Sequence, residues 1–138
     1  MVAPNIYDAP TDEEATNLQA MRDWINQIQH PNETLTTVGK LDLIQRLLID
    51  HTVTEADVWK LSALGITFGD ALEQAMQGRL KWVMVEGSAG ISPALRWKRS
   101  DVLIYPISAI RERIQAGEAV DIHQLYAEYV KVLPFHAR

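Results

Sequence analysis

The 138 residues are 47% apolar and 22% charged, the balance of a soluble globular chain and enough for one domain with a sizeable core. The sequence has no cysteine, which excludes a disulfide framework, a thiolate metal site and a cysteine nucleophile. Net charge is −5 but unevenly placed: residues 1–57 hold ten acids against three bases, and residues 79–113 hold seven bases against three acids.

Residues 1–10, with Pro4 and Pro10, show no periodicity and read as a loose leader. They lack the basic and apolar regions of a secretory signal, so a cytoplasmic location is expected. Thr11 and Glu14 form an S/T-x-x-E capping box, and Leu18, Met21, Ile25 and Ile28 supply the apolar stripe of a first helix that stops at His30-Pro31. Leu35, Val38, Leu41, Ile44 and Leu48, widened by Leu43 and Leu47, predict a second helix over residues 32–50 despite Gly39 near its start. The link 51–53 is so short that the next helix should pack against this one as a hairpin.

The third helix organises the rest. Thr54 and Asp57 stand at the N-cap and N3 positions, Val58, Leu61, Leu64, Phe68, Leu72 and Ala75 follow at spacings of three and four, and Gly78 suits a C-cap. Gly65 and Gly69 inside it each cost about 1 kcal/mol relative to alanine. Their spacing implies that another backbone or a large ring, Trp82 or Trp97, approaches this face closely; the alternative is the floor of a ligand pocket. The same spacing serves membrane helices, but Lys60, Asp70 and Glu73 rule out an apolar span.

After Gly78 the period shortens to two. Leu80, Trp82, Met84 and Glu86 alternate with Lys81, Val83 and Val85, which reads as a strand; Gly87-Ser88-Ala89-Gly90 makes a bend. Residues 94–99 place Leu95 and Trp97 opposite Arg96 and Lys98, and a tight turn over 99–101 leads to a third strand over 102–105. Pro106 opens a helix with Ile107, Ile110 and Ile114 as its stripe, ended by Gly117. Asp121 with Gln124 caps a last helix carrying Ile122, Leu125, Tyr126, Tyr129 and Val132 as far as Pro134, followed by a frayed tail. The fold class is therefore α+β: a helical N-terminal half, a small three-stranded antiparallel sheet packed on a long central helix, and two C-terminal helices in a single domain, 1–138.

LSALGITFGDAL, LKWVMVEGSAGISPALRW and VLIYPISAIRERIQAGEAVDIHQLY resemble a bacterial family catalogued only as a domain of unknown function. The residues that carry the likeness are Leu64, Gly65, Phe68, Gly69, Trp82, Val83, Val85, Pro93, Ala94, Leu95, Arg96, Pro106, Ile110, Arg113, Gly117 and Glu118, within 54–126. The chain departs from the pattern at Gly87–Gly90, where the family has a more acidic loop. The resemblance implies the domain and no catalytic residue.

No motif specifies a reaction. His30, His51, His123 and His136 lack the i, i+4 spacing of a helical zinc site, and only a fold-assembled set such as Asp50, His51 and His123 remains open. Neither a nucleophile elbow nor a P-loop nor a dinucleotide fingerprint occurs. Asp70 and Glu73 form a carboxylate pair on one helix face, and Glu86 ends a strand where Arg96 of its neighbour can meet it. Arg96-Trp97-Lys98-Arg99 invites a nucleic-acid reading, but strand alternation turns Trp97 away from the cations and the pI near 5.3 opposes it.

The expected function is a non-catalytic interaction module, with no cofactor or metal and no nucleic-acid or membrane partner, acting as a monomer or homodimer. The concrete form is an immunity-type protein whose acidic first helices meet a basic cognate partner. The alternative is a small-ligand protein or enzyme with a pocket between the glycine face and the sheet, lined by Trp82, Glu86, Arg96 and Tyr105.

Overall fold

The centre of the molecule is helix α3, Val58–Met76, whose Leu61, Leu64, Ile66, Phe68 and Leu72 are all buried. A computed structural model describes residues 5–88, 90–100 and 102–136. The expectations for residues 1–4, Ala89, Asp101 and the end of the tail lie outside the described residues. Three other helices and strand β2, Leu80–Gly87, surround α3: α1, Asp12–Ile28; α2, Thr37–Ile49; and α4, Pro106–Gln115. Helix α5, Ile122–His136, packs on α2 and continues through Pro134.

Local chemistry sets the helix ends. The capping box of α1 is complete: the Glu14 amide donates to Thr11 Oγ1 at 3.3 Å, and the Thr11 amide donates to Glu14 Oε1 at 2.7 Å. The expected helix over 32–50 is divided. Asn32 turns left-handed at φ 67°, Glu33–Leu35 form one 3₁₀ turn, and Thr36 starts α2 anew by accepting the Gly39 amide at 2.9 Å. A Cβ at Gly39 would strike the Glu33 carbonyl, so this break requires glycine there.

Helix α3 also starts later than expected. Asp57 does reach Thr54, accepting its amide at 3.0 Å, but the pair closes a turn ahead of the helix, and the first helical bond runs from the Leu61 amide to the Asp57 carbonyl. At the other end Gln77 takes the left-handed position, φ 49°, one residue before Gly78.

The sheet corrects the expected strand count from three to four. Its antiparallel order is β1-β2-β3-β4, with β1 at Asn5–Tyr7, β3 at Gly90–Trp97 and β4 at Leu103–Ile104. Part of the supposed loose leader is thus an edge strand, Ile6 pairing with Val85 and Tyr7 with Met84. Strand β3 also lies further N-terminal than expected, because Lys98 leaves it at φ 50°.

The two sheet faces differ. Leu80, Leu95, Trp97 and Ile104 join the helices in the main core, with Trp82 packed against it. On the opposite face Val83, Val85 and Ala94 make a smaller cluster with Ile6 and Leu103. Trp97 is 2% exposed, with Arg79 and Lys98 at 5.8 and 5.9 Å from its ring; burial removes it from the nucleic-acid role that Arg96-Trp97-Lys98-Arg99 suggested. Its Nε1 has no partner among the described residues.

Candidate functional site

The face of α3 that carries the two glycines is filled. A Cβ at Gly65 would overlap the backbone of Ile107, and one at Gly69 would overlap the Trp82 ring. Trp82 is held there by its own Nε1, which donates to Asp70 Oδ1 at 2.9 Å. Arg22 of α1 completes the arrangement with two bonds of 2.9 Å to the same carboxylate, from Nε to Oδ2 and from its terminal nitrogen to Oδ1. Hydrogen bonding to Asp70 raises the Arg22 pKa above its ordinary value. Glu73, one turn along, has its pKa raised first by burial and then by the Asp70 charge, against the pull of Arg22 and Lys40. The pair Asp70 and Glu73 therefore belongs to a clamp that joins α1, α3 and β2. No lining residue of the groove between α1, the β2–β3 hairpin and α4 comes from it.

That groove opens where Met84, two residues beyond Trp82, presents a flexible side chain instead of a ring. It holds about 490 Å³ between the N-terminal half of α1, the β2–β3 hairpin and the start of α4. Leu18 and Met21 from α1, with Met84, Pro93 and Ile107, supply apolar surface. The polar wall contains Ser62, Ser92, Ser108 and Arg111. Ile91 and Tyr105, 46% and 38% exposed, also line it. The first turn of α4 has no side-chain cap, so its amides add positive potential at this end. Glu14, the only carboxylate lining the groove among the described residues, is engaged by the Thr11 amide. Among the described residues Arg111 makes no ion pair and no side-chain hydrogen bond.

The four residues expected to share a pocket do not converge. Tyr105 lines the groove, but Trp82 fills the space over Gly69. Glu86 pairs across the sheet with Ile91 and Asn5, and accepts a 3.3 Å bond from the Tyr7 hydroxyl, whose pKa its charge raises. Arg96 is opposite Lys81 rather than Glu86, and donates to the Ser100 and Arg99 carbonyls at 2.8 and 3.4 Å. Strand parity puts it on the other side of the sheet from Trp82, where with Lys81, Lys98 and Arg99 it borders a separate hollow.

The expected set of Asp50, His51 and His123 is also separated. His123 Nε2 lies 2.7 Å from Asp42 Oδ1, Asp50 accepts from Thr52, and His51 borders a different hollow with Val120. Among the described residues no three His, Asp or Glu side chains form a metal-holding group, and no helix is long and apolar enough to cross a membrane. Sequence reasoning missed Arg111, Ser108 and Met84. The available signal was the i, i+3 spacing of Ser108 and Arg111, which places them on one face of α4.

No curated protein matches the chain. A crystal structure from Bacteroides thetaiotaomicron VPI-5482 is similar to it with a TM-score of 0.73 and 14% identity. The likeness covers 94% of this chain and 48% of that one, so the chain spans about half the length of its structural relative, and at this identity it shows the fold alone. The family described as domain of unknown function DUF3806 matches residues 40–126, from α2 through the start of α5 and including both glycines, Trp82 and Arg111, and the chain belongs to that family.

Proposed function

We propose that the chain is a non-catalytic binding module that engages a partner protein through the groove between α1, the β2–β3 hairpin and α4. The whole chain would serve as one unit, a monomer or homodimer in a bacterial cytoplasm, in the manner of an immunity-type protein with one cognate partner. The observation that carries this reading is the half-open groove with Ile91 and Tyr105 exposed over an apolar floor, because large apolar side chains kept at the lip of a concavity are characteristic of contact surfaces. The acidic first turn of α1, Asp12, Glu13 and Glu14, adjoins it and supports association that is fast and weakens with salt.

A photo-crosslinking residue at Ile91, compared with one at Val132, tests this in the source cells; Val132 is a comparably exposed apolar residue that does not line the groove. One discrete protein adduct is expected from Ile91 alone, diminished at high salt. Equal adducts from both positions, or none from Ile91, would oppose the reading. A second reading, a small-ligand site, draws support from the groove volume, which lies within the ~300–1,000 Å³ usual for such sites. A small molecule of defined mass retained through dialysis and released on denaturation would favour it.

A further inference from the structure

We infer that the groove accepts a partner segment in which a carboxylate stands beside apolar side chains, the carboxylate pairing with Arg111 and the apolar groups resting on Leu18, Met21 and Met84. This rests on the reading of the groove as the binding site. Charge selects the carboxylate. Among the described residues the groove is lined by one cation and one anion; Glu14 already accepts a 2.7 Å bond from the Thr11 amide, whereas Arg111 has no partner. Ser108 stands three residues before Arg111 on the same face of α4, so a hydroxyl donor and a guanidinium fork line one wall. A carboxylate accepts from both, while a cationic segment would leave Arg111 facing a like charge.

The shape selects a chain segment over a free acid. The groove is not enclosed, and Ile91 and Tyr105 of its lining are exposed, so a polypeptide can enter and leave it, whereas a free acid would gain most from an enclosed cavity. Its orientation also follows: the acid lies toward α4, away from Asp12 and Glu13 in the first turn of α1.

Titration of the full chain, followed by amide chemical shifts, tests this with a blocked pentapeptide alternating leucine and glutamate and with its glutamine counterpart. The glutamate peptide should shift the amides of Ser92, Ser108 and Arg111, and Arg111→Gln should weaken its binding by about 10-fold or more, the scale of a lost charge-assisted bond. The glutamine peptide should bind the natural chain and the variant alike. Arg111→Glu should abolish binding of the glutamate peptide, and unchanged thermal unfolding of both variants will show that they fold. Equal binding of the two peptides, shifts confined to other surfaces, or decanoate binding more tightly than the glutamate peptide would each overturn the inference. If a groove adduct forms at Ile91 while Arg111→Gln changes nothing, the groove remains the binding site and the carboxylate assignment alone fails.

Discussion

Trp82 and Met84 stand two residues apart on the same face of the same strand, yet the ring of one seals the space over Gly69 while the other, itself only 5% exposed, forms part of a groove floor. Below Trp82 the neighbouring helix offers Gly69, whose missing side chain leaves room for the ring, and Asp70, which accepts the indole N–H at 2.9 Å. Met84 stands opposite Pro93 and Tyr7 in the ladder, and the groove it lines includes the short side chains of Ser62, Ser92 and Ser108. Closure therefore comes from a matched pair, a large ring against a glycine, and opening from the absence of such a match. This places the structural demand at one end of the strand and the capacity for binding at the other.

The glycine contacts should be the more sensitive to substitution, Gly65 included, although its neighbour Ile107 also lines the groove. Gly65→Ala is expected to have the largest effect, because its Cβ would press on the Ile107 backbone, which cannot swing aside. Overpacking of this kind costs about 3 kcal/mol, which outweighs the ~1 kcal/mol that alanine gains in helix propensity. Urea denaturation should show a large fall in midpoint. A midpoint equal to that of the natural chain would show that α4 can retreat from α3, and the contrast between sealed and open ends would be lost.

Asp70→Ala should rank next, at about 2 kcal/mol, since it leaves the half-buried indole N–H and the Arg22 guanidinium without their shared acceptor. The loss is smaller than for a fully buried pair because Arg22 and Asp70 are 34% and 20% exposed. A double-mutant cycle with Arg22→Ala should show strong coupling, and additive losses would mean that α1 is not tied to α3 through this carboxylate.

A smaller, pH-dependent effect is expected at Glu73. Its folded-state pKa is raised by burial and by Asp70, so the folded chain binds this proton more tightly than the unfolded chain does. Its favourable contribution to stability is present below the unfolded pKa and is lost as pH rises through the folded one. Glu73→Gln should therefore stabilise the protein at pH 7 by less than ~1 kcal/mol, with the gain vanishing as pH falls below the carboxylate range. Thermal melts across that range should show the two curves converge toward acid. A gain independent of pH would place the cause elsewhere.

Much of the sealed end was legible in the chain because its signals are local. The periodicity of α3, the alternation of β2 and the cost of two mid-helix glycines together point to a ring or backbone against that face, and Trp82 and Ile107 fill those roles. Where neighbours decide, the reading failed. Asn5–Tyr7 has too few residues to show a period and becomes a strand only by pairing with the free edge of β2. The expected pocket joins Arg96 to Trp82, but the register, Arg96 against Lys81 and Leu95 against Trp82, places the two on opposite faces. The groove was invisible because its walls come from α1, α3, two strands and α4, and no pattern within one element marks Arg111 as a cation without a partner.

The smallest expected effect on stability is the one that matters most for function. Arg111→Gln removes a partly buried charge with no hydrogen-bond partner among the described residues, so unfolding free energy should change by no more than ~0.5 kcal/mol. Asp70→Ala, by contrast, should lower stability while leaving the groove wall on α4 unchanged, since none of its lining residues bonds to Asp70. Denaturation and groove occupancy measured on both variants should thus separate in opposite directions. If Arg111→Gln proves as destabilising as Asp70→Ala, Arg111 is part of the scaffold, and the open end of the strand is no more free for binding than the sealed one.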